Sequence, residues 1–249
     1  MNTPYLSIIT VTYNAESTLG RTLESVASQT YRGFVEHIIV DGASKDRTVE
    51  MANSYKQQHE EYSVTVVSEP DKGLYDAMNK GLKMAKGEFV CFMNAGDKFH
   101  DSETLEGVFD NIEHPEQIGV IFGDTIVVDN EGNYLRQRHL NAPEELRWTS
   151  FKQGMLVCHQ SFYARRSLCP MYDTSYRFSA DVDWCIKVMR SGYEQNLQNH
   201  NTRMVLTDFL DGGMTRKNHR ASLLERFRIM KHHYGLLSTL GHHFMFLFR

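Results

Sequence analysis

The run Phe89-Val-Cys-Phe-Met-Asn-Ala-Gly-Asp97 passes abruptly from apolar residues to a polar corner that ends in a carboxylate. The apolar part reads as a buried parallel strand. Asp97 then falls at the C-terminal edge of a sheet, where open α/β folds gather their ligands. A carboxylate there suits a divalent cation carrying a diphosphate, though an Asn/Gly/Asp turn without chemistry uses the same residues. Two more polar strand ends face that edge: Val11-Thr-Tyr-Asn14 and Asp41. Asp41 can accept the N–H of a uracil-type base, with Tyr13 as an apolar wall. Asp41 reads equally well as a turn or helix-capping residue.

The elements that must position these groups alternate in the first half. Strands are expected at Leu6–Tyr13, His37–Val40, Tyr62–Val67, Phe89–Met93 and Ile118–Phe122. Helices are expected over about 17–29, from the Asp41–Asp46 turn to Gln58, and near 102–111. Between Ser68 and Gly87, Leu74, Met78, Leu82 and Ala85 recur at helical spacing, with Gly87 in the place of a C-terminal glycine. Strands separated by such helices imply right-handed βαβ units, hence an α/β fold with a mostly parallel central sheet flanked by helices. Thr125–Leu140 reads as a hairpin around Asp129–Asn133. From about residue 141 the alternation is lost. Helices are expected from Ser179 or Asp181 to Gly192 and over Ala221–Tyr234.

At 249 residues, 41% of them hydrophobic, the chain can bury a large core. Its formal charge of −4 argues against a nucleic-acid binder. Cys91, Cys158, Cys169 and Cys185 form no C-x-x-C pair and read as reduced core residues of a cytoplasmic protein. No secretory signal and no membrane span is legible. Neither G-x-G-x-x-G nor a P-loop follows the first strand. Asp211–Arg220 reads as a glycine-hinged cationic loop able to close over a diphosphate. From Arg216 to Lys231 six Lys/Arg accompany one Glu, ahead of an apolar tail, which suits peripheral contact with the inner face of a cell membrane.

Ser7-Ile-Ile-Thr-Val-Thr-Tyr-Asn14, Gln29-Thr-Tyr31, Ile38-Ile-Val-Asp-Gly-Ala-Ser-Lys-Asp46, Ala77-Met-Asn-Lys-Gly81 and Asn94-Ala-Gly-Asp97 occur in the order seen in family 2 glycosyltransferases. The chain resembles bacterial members that build surface and capsular polysaccharides. The resemblance implies a GT-A fold over one domain, with a donor half (about 1–125) and an acceptor half (about 126–249). It implies inverting, metal-dependent transfer from a nucleotide-diphosphate sugar, a UDP-sugar first, to a saccharide or lipid-linked saccharide. Tyr13 and Asp41, next to Asn14, match nucleoside-holding positions; Asp71 and Lys72 match the approach to ribose and phosphates. Asp97 matches the last carboxylate of the metal motif, for Mn²⁺ or Mg²⁺. Asn94 and Gly96 depart from the acidic form of that motif and imply a weaker metal site. Asp181, in Ser179-Ala-Asp-Val-Asp-Trp184, matches the catalytic base, with Asp183 as its alternate; Ala180 replaces a usual Glu. Helix capping is the bland reading of both acids. His159, in Cys158-His-Gln-Ser-Phe-Tyr163, matches the acceptor side or reads as structural. The competing function is a catalytically silent nucleotide-sugar or saccharide-binding module.

Overall fold

The computed structural model describes residues 5–31, 33–59, 63–110, 112–212 and 218–246. Four strands form the parallel half of the sheet: β1 (Leu6–Thr12), β2 (Val35–Asp41), β3 (Ser63–Ser68) and β4 (Phe89–Phe92). Helices α1 (Leu19–Ala27), α2 (Thr48–Gln58) and α3 (Leu74–Met84) are the crossovers between them. The expected strands and helices of this half are present to within a few residues. Tyr62 lies outside the described residues.

The short β5 (Lys98–Phe99) and α4 (Thr104–Phe109) lead into β6 (Ile118–Val128) and its antiparallel partner β7 (Tyr134–Gln137), the expected hairpin. β8 (Phe162–Arg165), α5 (Ala180–Glu194), β9 (Gln198–Leu210), α6 (His219–Tyr234) and α7 (Leu236–Phe246) complete the chain. The described strands form one nine-stranded sheet in the order β3-β2-β1-β4-β8-β6-β9-β5, with β7 on β6. The sheet is thus mixed in its second half, because β8 inserts antiparallel between β4 and β6. Sequence reasoning did not separate β5, β8, β9 and α7. The cause for β9 is visible in its partly exposed residues, which show no strict alternation.

One apolar cluster joins both halves, running from Ile9 and Val40 through Phe92 and Phe162 to Trp184 and Ile229. Trp184 stacks on Tyr172 at 5.0 Å and meets Phe92 edge-on at 5.6 Å, while its Nε1 donates to Pro170 O. Helix α5 is therefore fixed against the strand that leads to the Asn94–Asp97 corner.

Gly87 corrects one expectation. Helix α3 ends at Met84, capped by Ala85 in an extended conformation, so Gly87 is not the helix's C-terminal glycine. A Cβ on Gly87 would lie 2.5 Å from Ser7 N. Glycine is required because the chain presses on β1 there, and Gly87 N donates to Ser7 Oγ at 2.8 Å.

Candidate active site

The donor edge is built from the ends of β1, β2 and β3. Asp41 ends β2 and is fully buried. It accepts from Ser44 N at 2.9 Å, from the Ser44 hydroxyl and from Ser68 Oγ at 2.7 Å. Asn14, at φ 46°, donates its N–H to Ser44 Oγ and accepts from Lys45 N. These two residues shape the loop after β2. Tyr13 and Asp71 are the groups within reach of a ligand here. Tyr13 is 64% exposed. A Cβ on Gly42 would fall 2.4 Å from Asp71 Oδ2 and 3.3 Å from Tyr13 Cδ2, so all three converge on one point. Asp71 also accepts from Gly73 N and Lys72 N donates to Asp76, which fixes the turn into α3. Lys72 is exposed.

Next along the edge, the Asn94–Asp97 corner is closed by residues distant in sequence. Thr22 Oγ1 on α1 donates to Asp97 O and accepts from Gly96 N. The Asp97 carboxylate accepts from Gln160 Nε2 at 2.6 Å and from Leu210 N at 3.0 Å. Burial pushes its pKa up to about 6, against the opposing pull of those two donors. Gln160 is itself held by Cys158 Sγ, and its carbonyl accepts from Thr207 Oγ1. No local pattern selects Gln160; its place beside His159 in the Cys158–Tyr163 segment is the one signal available.

This donor set does not fit a cation held by protein ligands alone. Asp97 has both oxygens engaged, and no three His, Cys, Asp or Glu side chains converge among the described residues. Asn94 Oδ1 is a buried oxygen that accepts no hydrogen bond from any of the described residues.

Asn94 leads to the acceptor side. Its Nδ2 faces His159 Nε2 at 3.3 Å, and His159 Nδ1 lies 3.6 Å from Asp181 Oδ2. An amide N–H can only donate, so this arrangement makes Nε2 the acceptor and turns Nδ1–H toward Asp181. Tyr75 Oη donates to Asp181 Oδ1 at 3.2 Å. Asp181 occupies the first turn of α5, where the helix's positive end favours a carboxylate. Burial raises its pKa, but His159 and Arg226 outweigh that and hold it below the ordinary value. Burial and the Asp181 charge push Tyr75 well above its ordinary pKa.

Asp183 goes elsewhere. It is buried, 2.7 Å from His233 Nε2 on α6 and 2.6 Å from Lys187 Nζ. It fastens α5 to α6 and is not among the residues around Asp97 and His159. Of the expected cationic loop, residues 213–217 lie outside the described residues; Asp211 before them is paired with Arg136. A cavity of about 640 Å³ between α1 and α2, lined by Leu23, Met51 and Tyr55 among others, includes none of these residues. The candidate site is an open sheet edge.

The family follows from a sequence comparison. The pattern described as Glycosyl transferase family 2 matches residues 7–169. This chain belongs to glycosyl transferase family 2. It is 32% identical over 190 residues to a PGL/p-HBAD biosynthesis glycosyltransferase of Mycobacterium bovis, covering 75% of this chain and 70% of that one. An uncharacterised glycosyltransferase of Methanocaldococcus jannaschii is 25% identical over 201 residues, covering 78% and 68%. Among solved structures, S. aureus TarS 1–349 in complex with UDP-GlcNAc superposes with a TM-score of 0.67 at 20% identity, covering 91% of this chain and 64% of that one. The mannosyltransferase PcManGT of Pyrobaculum calidifontis, in complex with GDP-Man and Mn²⁺, gives 0.61 at 18%, covering 91% and 64%. The chain thus spans less than two thirds of these solved chains, and their likeness shows the GT-A fold of a family 2 glycosyltransferase.

Proposed function

We propose that this glycosyltransferase moves a sugar, with inversion, from a nucleotide-diphosphate sugar to a saccharide or lipid-linked saccharide acceptor in cell-surface polysaccharide biosynthesis. The observation that carries the reading is Asp181, an ionised carboxylate at a helix start, linked through His159 to the Asn94–Asp97 corner. The UDP-GlcNAc of the TarS complex and the PGL/p-HBAD name of the mycobacterial relative support the donor class and the surface role.

The nucleoside lies against Tyr13 with Asp71 beside it, Asp41 shaping the loop beneath. Asp181 removes the proton from the acceptor hydroxyl as its oxygen bonds to the anomeric carbon. The bond from that carbon to the diphosphate breaks, and the nucleotide diphosphate leaves with the electron pair. His159 and Tyr75 hold the carboxylate in one orientation for this single displacement. A divalent cation, Mn²⁺ or Mg²⁺, would have to take most of its ligands from the donor's phosphates, where it would neutralise the leaving diphosphate; Asp97 is the one carboxylate of its corner that would contribute to holding it.

Hydrolysis and transfer across a panel of nucleotide sugars, with the anomeric configuration read by NMR, test the proposal. One donor class giving an inverted product supports it. A retained configuration, or nucleotide-sugar binding without turnover, overturns it in favour of another mechanism or a silent binding module.

A further inference from the structure

Helices α6 and α7 meet at Gly235, which adopts φ 81°, and Phe227 and His243 pack ring to ring at 5.1 Å across the hairpin. On α7, Leu236, Leu237, Leu240 and Phe244 fall within about 100° of one another around the helix axis. All four are exposed, Leu237 by 86% and Phe244 by 63%. Scattered exposed leucines are ordinary, but a continuous apolar stripe with no charged residue in it is not. On the neighbouring helix, Arg220, Leu224, Arg228 and Lys231 share one exposed ridge. Residues 219–246 hold four Lys/Arg against one Glu, while the whole chain carries −4. From Arg226 to Phe246 there is no acidic residue.

We propose that the outer face of the α6–α7 hairpin docks the protein on an anionic lipid surface. The α7 stripe enters the interface, and Arg220, Arg228 and Lys231 meet the headgroups. Charge decides against a second copy of the chain as occupant. A two-fold contact would bring the same cations face to face, and the acids that could neutralise them lie elsewhere. The hairpin is also fastened to the helix that bears Asp181: Ser222 Oγ meets Ser179 Oγ at 2.9 Å, Glu225 accepts from Arg177 N and Phe178 N, and His233 holds Asp183. Docking therefore brings the N-terminus of α5 to the surface that would present a lipid-linked acceptor; that consequence rests on the proposed function, whereas lipid binding does not.

The test is co-sedimentation of the full chain with vesicles of phosphatidylglycerol mixed equally with phosphatidylcholine. Binding to these, weakened by salt, and none to pure phosphatidylcholine is expected. Arg228→Gln with Lys231→Gln should lower the partition coefficient about thirty-fold, and Leu237→Ser with Leu240→Ser should abolish binding. Both double variants should keep the parent melting temperature and the parent rate of nucleotide-sugar hydrolysis, because the changed side chains are exposed and remote from Asp181. Equal binding to phosphatidylcholine, retention by both variants, or absence of binding overturns the proposal. A lipid-free dimer dissolved by Leu237→Ser with Leu240→Ser would overturn it in favour of a second copy. Absent vesicle binding with normal transfer defeats the docking alone; vesicle binding without transfer defeats the proposed function alone.

Discussion

Asp41 closes a strand on the donor side and Asp181 opens a helix on the acceptor side, and the two carboxylates are used in opposite ways. Asp41 is wholly buried, with three hydrogen bonds from Ser44 and Ser68. Asp181 keeps 18% of its side chain accessible, accepts one hydrogen bond from Tyr75 and has His159 Nδ1 3.6 Å away. A carboxylate engaged by its own loop and the neighbouring strand organises backbone; one left partly open and ionised is available to take a proton. The donor edge is thus a shaped loop, and the acceptor side holds the reactive group.

The sharpest way to break this contrast is Asp181→Asn, which keeps the size of the side chain but removes the proton-accepting charge. A turnover loss of about 10²–10⁴-fold is expected, with donor affinity unchanged. In the parent, the acid limb attributable to Asp181 should lie below 3.8, because its pKa is lowered. A limb near 6 would instead report Asp97, whose pKa burial raises. Normal transfer by Asp181→Asn would place the base elsewhere.

Asp183→Ala separates catalysis from packing. Removing it leaves the buried His233 without its hydrogen-bond partner, and an unsatisfied buried polar group costs about 1–3 kcal/mol. Chemical denaturation should show that loss, with turnover of the remaining folded enzyme near the parent value. Burial raises the Asp183 pKa, but His233 and Lys187 outweigh it and hold it low, so its stabilisation is present above 3.8 and is lost as pH falls. Asp97 has the opposite sign. Its raised pKa makes its contribution full below 3.8 and lost as pH climbs through about 6. The stability difference between the parent and Asp97→Asn should therefore shift by about 3 kcal/mol against the parent from acid to neutral pH. A pH-independent difference would mean that Asp97 is not desolvated.

The comparison also explains what could be read in the sequence. The donor edge depends on contacts made by short motifs: Asp41 with Ser44 three residues on, and Asp71 with Gly73 two residues on. Turn chemistry of that kind is written locally, and the parallel strands around it follow from hydrophobic pattern. The acceptor side joins Asp97 to Gln160 and Leu210, and Tyr75 to Asp181, across 63 to 113 residues. No local pattern encodes those pairings: Gln160 sits in a short turn ahead of β8, and β9, which carries Leu210 to the corner, lacks the alternation that marks a half-buried strand. Asp183 shows the limit most plainly. Spaced two residues from Asp181, it turns to the opposite flank of the helix, and only the packing of α6 reveals that it serves structure.

At the donor edge the effects should be smaller and should divide between two carboxylates. Asp41→Ala leaves Ser44 N–H and two hydroxyls without their acceptor and should cost about 2–3 kcal/mol of stability, with nucleotide affinity falling as a consequence. Asp71→Ala should cost less stability than Asp41→Ala, about 0.5–1.5 kcal/mol for the lost Gly73 N bond, and weaken nucleotide-diphosphate binding by about 1.5–3 kcal/mol in calorimetry, if Asp71 receives a hydrogen bond from the ligand. A stable Asp41→Ala protein with weakened binding would reverse the assignment and make Asp41 the direct contact.

The smallest change refines the acceptor side itself. Tyr75 Oη donates to Asp181, and a donor to a carboxylate favours its ionised form. Tyr75→Phe keeps the buried ring and its stacking on Tyr172 at 5.6 Å while deleting that one bond. A net hydrogen bond of about 0.5–1.5 kcal/mol corresponds to a rate loss of roughly two- to twelve-fold. The direction of a second readout is set by the same bond: without it the Asp181 pKa rises, so the acid limb of the rate profile moves to higher pH. A purely structural Tyr75 would lower stability and leave that limb where it was. If the limb moves while the plateau rate hardly changes, Tyr75 sets the charge of the base. If the plateau falls with the limb fixed, it sets only its position.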